Sequence, residues 1–159
     1  MKFVSPTDGP LSFRETYNTI MKFVRDHPDN SYKLIIGTDS QPGGEEASFV
    51  TAIVIYRIGR GGRFFYHRDT APDRAGFKQR IFYEVSRSLE IASKLTGLLA
   101  EEETLDEDLE IEIHVDVGEK GPTSTIIKEV VGMVVGSGYD ALIKPDAYAA
   151  SSVADKFTD

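Results

Sequence analysis

The chain has 159 residues, 40% of them hydrophobic and 28% charged. These are the proportions of one folded domain with a sizeable core, and they exclude a disordered or low-complexity chain. There is no cysteine and there are three histidines, His27, His67 and His114, which excludes a disulfide scaffold, a thiolate zinc site, an iron–sulfur cluster and a cysteine nucleophile. Twenty-six acids against eighteen bases give a net charge of −8, unfavourable on average for binding a polyanion.

The charge is unevenly spread. Residues 57–94 hold nine bases (Arg57, Arg60, Arg63, Arg68, Arg74, Lys78, Arg80, Arg87, Lys94) against four acids, whereas residues 101–112 contribute eight carboxylates. The acidic run reads as a solvated loop, and the basic stretch as a candidate surface for nucleic acid. No apolar run approaches the roughly 20 residues that cross a bilayer. Pro6, Asp8 and Pro10 stand where a secretory leader needs an apolar stretch, so the expectation is a cytoplasmic protein without a membrane partner.

In chain order, Phe13, Tyr17, Ile20, Met21 and Val24 share one helical face behind the capping pair Ser12 and Glu15. The pattern predicts a helix over about 12–26 that ends at His27-Pro28-Asp29-Asn30. Leu34-Ile35-Ile36 reads as a buried strand stopped at Ser40-Gln41-Pro42-Gly43-Gly44. A β-branched run from Phe49 to Ile58, the glycine turn Gly59-Arg60-Gly61-Gly62 and Phe64-Phe65-Tyr66 form a hairpin, completing three antiparallel strands. The period then changes: Phe77, Ile81, Val85, Leu89 and Ala92 predict a helix over about 75–97. Ile111, Ile113, Val115 and Val117 alternate with Glu110, Glu112, His114 and Asp116 as a fourth strand. Ile126, Ile127, Val130, Val131 and Val134 give a helix closed by Gly136 and Gly138. A short strand Ala141-Leu142-Ile143 and a last helix starting near Pro145-Asp146 follow.

The expected architecture is a single α/β domain over 1–159, with an N-terminal helix before a core of about 32–158. Its five-stranded mixed sheet has three antiparallel strands, then two parallel strands added through right-handed crossover helices. If the fourth strand lies beside the first, chain connections leave in opposite directions there and a crevice opens at the strands' carboxyl ends. Asp39 and Asp116 end those two strands. Glu84, beside the apolar stripe of the long helix, can be aimed at the same rim, with Glu90 as its competitor. Asp146 stands where the last strand turns into the last helix, with Asp155 as its competitor. Carboxylates gathered this way repel one another unless a cation neutralises them, and oxygen-only ligands suit Mg²⁺ or Mn²⁺.

Other motifs carry less. Gly118-Glu119-Lys120-Gly121-Pro122-Thr123-Ser124 lacks the Gly-Lys-Ser/Thr ending of a phosphate loop. No Gly-x-Ser-x-Gly elbow supports acyl transfer. Phe64, Phe65 and Tyr66 could stack on bases but fit a strand core at least as well, and His114 reads as a packing or hydrogen-bonding residue.

The strand order, with Asp39, Glu84, Asp116 and Asp146 at those places, resembles the ribonuclease H-like superfamily. More closely, Ile36-Gly37-Thr38-Asp39-Ser40-Gln41, Ile113-His114-Val115-Asp116-Val117-Gly118 and Lys144-Pro145-Asp146-Ala147-Tyr148-Ala149-Ala150-Ser151-Ser152 resemble the bacterial YkuK-type group of predicted ribonuclease H-related proteins. The likeness runs from about residue 12 to 158. It implies a metal-dependent nuclease whose ions are held by Asp39, Glu84, Asp116 and Asp146. On that reading Arg60, Arg63, Lys78 and Arg80 bind the nucleic-acid backbone. The rival reading is a non-catalytic nucleic-acid or protein-interaction module that keeps the fold.

Overall fold

The computed structural model describes residues 1–73, 76–102, 109–118, 121, 124–144 and 146. Among these the sheet has seven strands, not five. It begins with β1 (Lys2–Ser5) and β2 (Gly9–Ser12), continues after helix α1 (Phe13–Asp26) with β3 (Tyr32–Gly43), β4 (Glu46–Arg57) and β5 (Gly61–Pro72), and after helix α2 (Gly76–Ala100) adds β6 (Glu110–His114). Helix α3 (Ile127–Gly136) and β7 (Asp140–Leu142) complete it, and the spatial order is β2-β1-β5-β4-β3-β6-β7. The five expected strands are all present; β1 and β2 are the addition. They are four residues each and carry Gly9 and Pro10, and they pair as a hairpin docked on β5 through Val4 and Tyr66. His67 fixes that dock, its Nδ1 2.7 Å from the carbonyl of Lys2.

Strands β3, β4 and β5 are antiparallel neighbours in one unbroken register, from Tyr32↔Arg57 to Gly43↔Glu46 and from Arg57↔Gly61 to Glu46↔Pro72. They run well past the apolar cores visible in the sequence, because Ser40-Gln41-Pro42-Gly43 stays extended before the chain reverses at Gly44, whose φ of 89° suits glycine. Gly62 is required by close approach: a Cβ there would lie 2.3 Å from the carbonyl oxygen of Ile55. Strands β6 and β7 are parallel additions, Gly37 level with His114 and His114 level with Leu142.

Helix α1 starts as its sequence dictates. The Ser12 hydroxyl accepts from the Glu15 N–H at 3.1 Å, and the Glu15 carboxylate accepts from the Ser12 N–H at 2.9 Å. Side-chain alternation then sorts the sheet's faces. Leu34, Ile36, Ile53, Ile55, Phe65 and Ile113 join Ile20 and Met21 of α1, Val85 and Leu95 of α2, and Val130 and Val134 of α3 in one core. The three helices therefore cover one face. The opposite face carries Ile35, Val50, Ala52 and Tyr66, and with them Lys33, Asp39, Glu112 and His114. Among the described residues no helix is long and apolar enough to cross a membrane. The expected last helix, with Asp155, lies outside the described residues, as do parts of the acidic loop and of the 118–124 segment.

Candidate functional site

Pairing between β3 and β6 stops at Gly37↔His114, while β3 continues for six more residues. The sheet therefore opens at the point where the hairpin connection leaves β3 on one side and the crossover strand adds on the other. Two residues further on, the register brings Asp39 of β3 level with Asp116. The β6–β7 ladder persists there through Val115 N–H to Leu142 O and Lys144 N–H to Val117 O, both 2.9 Å, and brings Asp116 level with Lys144. Asp39, Asp116 and Lys144 thus form a row across three parallel neighbours. Asp39 also faces Val50, which faces Arg68 of β5, so the row continues to an exposed arginine on the same face.

Glu84 approaches from the other side. Thr38 and Ser40 point at α2, where their hydroxyls meet Ser88 Oγ at 2.8 Å and Glu84 Oε2. Glu84 and Ser88 are one helical turn apart and so share a face. Glu84 is 4% exposed. Burial pushes its carboxyl up to about 8, the charges of Asp39 and Asp116 push in the same direction, and the Ser40 hydroxyl and the Arg80 guanidinium oppose them. Glu90 is six residues along α2, well round the helix from Glu84, exposed, and ion-paired to Lys94 at 3.4 Å.

Lys144 Nζ lies 2.7 Å from Asp116 Oδ1. Its hydrogen bond to Asp116, with the charges of Asp116, Asp39 and Glu84, raises the ammonium above its ordinary value despite partial burial. The donor chemistry of the three carboxylates is that of a hard-cation site, and the Lys144 ammonium stands against it as a cation. As arranged, no group of three His, Asp or Glu side chains among the described residues is placed to hold a metal ion. The reason is local: Glu84 reaches Ser40 on the helix-covered face, while Asp39 and Asp116 leave their strands on the other, and Asp116 is held by Lys144. Asp146 is exposed in the turn after Lys144, its N–H bonded to Ile143 O at 2.9 Å, and among the described residues no ion pair or hydrogen bond joins it to the other three acids.

His114 is 5% exposed; its Nε2 is 3.3 Å from Glu112 Oε1, and Glu112 pairs with Lys33 at 2.9 Å. Burial pushes the imidazole pKa down. Its Nδ1 has no hydrogen-bond partner among the described residues.

The basic stretch divides. Arg63 is level with Ile55 and Leu34, five residues back along β3 from Asp39, or about 17 Å at strand rise; Arg60 is further away, in the β4–β5 turn. Arg63 is paired to Asp8, Arg80 to Asp73 at 3.3 Å and Arg87 to Asp69 at 2.9 Å. Lys78 and Arg80 lie on the first turns of α2, at the carboxylate end. Arg68 and Lys78 are exposed and have no acidic partner among the described residues. Sequence reasoning did not single out Arg68 or Lys144, because only strand register brings them level with Asp39.

A family model described as Ribonuclease H-like matches residues 15–159. The chain belongs to the ribonuclease H-like family. The Bacillus subtilis (strain 168) protein titled Uncharacterized protein YkuK is 33% identical over 166 residues, which cover 98% of this chain and 96% of that relative. The family match begins inside α1 and takes in everything after it, so the β1–β2 hairpin precedes it.

Proposed function

We propose that the protein is a divalent-metal-dependent nuclease hydrolysing phosphodiester bonds of a nucleic acid. Asp39, Glu84 and Asp116 would be its ion-binding carboxylates, with Asp146 as the fourth. The observation that carries this reading is that Asp39 and Asp116 stand level on one face at the open switch point of a ribonuclease H-like sheet, with the buried Glu84 near enough behind the sheet for their charges to act on its carboxyl. A bound Mg²⁺ or Mn²⁺ supplies an activated water and charge neutralisation at the phosphodiester oxygens. The chain's own residues do the rest. Ser40 orients the Glu84 carboxylate, and Lys78, Arg80 and Arg68 hold the substrate backbone beside the acids by contacts that position without reading sequence. Arg60 and Arg63 touch only a substrate long enough to follow the hairpin to its far end.

The test is Mg²⁺- or Mn²⁺-dependent cleavage of labelled single-stranded, duplex, hybrid and branched substrates. Asp39→Asn is expected to abolish cleavage and to keep the fold, because it removes a charge from a repelling group. Cleavage at the wild-type rate in that variant overturns the assignment. The ion pair that occupies Asp116 favours a second reading, a nucleic-acid-binding module without catalysis; binding with no cleavage of any substrate selects it.

A further inference from the structure

We propose that one exposed flank of α2 is a stacking platform for an unpaired stretch of nucleic acid, with bases on the Phe77 and Tyr83 rings and the phosphate between them on Arg80. The inference rests on the nucleic-acid part of the nuclease reading and names its substrate class as single-stranded; it needs neither a metal ion nor cleavage.

The order of residues on the helix comes first. Phe77, Arg80 and Tyr83 are three residues apart, so each is a surface neighbour of the next. Arg87 extends the row by one turn, giving ring, cation, ring, cation. Ile81, Val85 and Ser88 turn the other way and are buried against the sheet. Both rings are left in solvent, Phe77 44% and Tyr83 38% exposed. Single apolar side chains scattered on a surface need no explanation, but two rings in one row with a cation between them form a patch.

Tyr83 is also held in place. Its ring meets the buried Phe49 edge-on with centroids 6.2 Å apart, and the Arg87 guanidinium lies 4.0 Å over Phe49 and 5.8 Å over Tyr83. Arg87 is itself fixed, its Nε 3.1 and 3.0 Å from the two carboxylate oxygens of Asp69 and its Nη1 3.5 Å from the Tyr83 carbonyl. A ring anchored in this way loses little freedom when a base stacks on it. Arg80 gives one N–H to Asp73 at 3.3 Å and keeps further donors on its guanidinium. It stands one helical turn before Glu84, whose carboxyl feels its charge, so the row leads up to the carboxylate site.

Spacing selects the form of nucleic acid. Phe77 and Tyr83 are six residues apart, about 9 Å along the axis at 1.5 Å per residue. Successive bases in a duplex are roughly 3.4 Å apart and cover each other's faces, so neither ring can reach a base face there. An unpaired strand can open its stacking to that distance, and it carries a phosphate between neighbouring bases, where Arg80 stands. Stacking of this kind tolerates any sequence, because every base has a flat face.

The test is anisotropy-monitored binding of labelled single-stranded DNA and RNA in EDTA, with a duplex and an abasic single strand as comparison probes. The wild type is expected to bind the single strand more tightly than the duplex. Phe77→Ala and Tyr83→Ala are each expected to lose about tenfold in affinity with the salt slope unchanged, and Tyr83→Phe to keep the wild-type affinity. Arg80→Ala is expected to lose affinity with a flatter salt slope. The abasic strand is expected to bind the wild type about tenfold more weakly than the normal strand, a comparison that depends on no variant's folding. Wild-type affinity in both alanine variants, equal affinity of the wild type for normal and abasic strands, or a preference for the duplex overturns the platform and leaves nucleic-acid binding standing. No binding of any nucleic acid by the wild type overturns both. Ring-dependent binding of the single strand, with no cleavage once Mg²⁺ or Mn²⁺ is added, supports the platform and overturns the nuclease.

Discussion

The two ends of β3 are built on opposite principles. At its start, Tyr32 donates to His27 O at 2.7 Å and accepts from Arg57 Nε at 3.0 Å. Arg57 lies 4.0 Å above the Phe23 ring and donates to the Phe23 carbonyl at 2.8 Å, so a cation from β4 ties α1 to the sheet. Leu34 and Ile36 follow, fully enclosed. Seven residues after Tyr32 the same strand carries Asp39, past the end of the β6 pairing, level with Asp116 and with the Glu84 carboxylate buried nearby. One end is built on apolar area and hydrogen-bonded donors; the other gathers carboxylates, one buried and one paired with Lys144. That contrast, within one strand, is what sets this end apart as the candidate site.

The contrast is broken most severely at the closed end. Ile36→Ala leaves a cavity in the middle of the core and is expected to lower the unfolding free energy by about 2–5 kcal/mol, read by urea denaturation. A loss below about 1 kcal/mol would mean that the core does not centre there.

Next in size is Glu84→Gln, which sharpens the comparison through pH. The folded-state pKa of Glu84 lies near 8, above the ordinary 4.5, so the folded protein holds this proton more tightly than the unfolded chain. Its contribution favours folding fully below about pH 4.5 and is lost as pH rises to about 8. In EDTA the wild-type melting temperature should therefore fall across that window. Glu84→Gln should flatten the fall and melt several degrees above the wild type at pH 8. Parallel pH profiles would place the buried charge elsewhere. Smallest is Arg63→Ala, which removes a partly exposed pair with Asp8 and should cost less than about 1 kcal/mol, again by denaturation.

The sequence made α1, α2, α3 and the order of β3 to β7 legible because each has a clear period and a hydrophobic face. It hid β1 and β2, since four residues bounded by Pro6 and broken by Pro10 give no alternation to read. It also shortened β3, because Ser, Gln, Pro and Gly are turn formers on their own and become strand only with β4 paired to them residue for residue. Asp39, Glu84 and Asp116 could be named from chain position. What their surroundings would be could not, because the face of Glu84, the level of Lys144 and the remoteness of Arg60 and Arg63 are set by cross-strand register, a property of pairs far apart in sequence. Asp146 was legible as a position and is exposed in the structure.

The way the sheet finishes at its sides bears on how the molecule behaves in a crowd. Twelve-residue strands such as β3, β4 and β5 would, if left at a border, be templates on which another chain could polymerise. All three lie inside. Among the described residues the borders are β2, four residues long with Pro10 withholding a donor, and β7, three residues long. Those stubs offer an incoming strand too few hydrogen bonds to hold it. The small N-terminal hairpin, which precedes the family match, pairs with β5 through Val4 and Tyr66, so it shortens the open margin of that long strand rather than removing it.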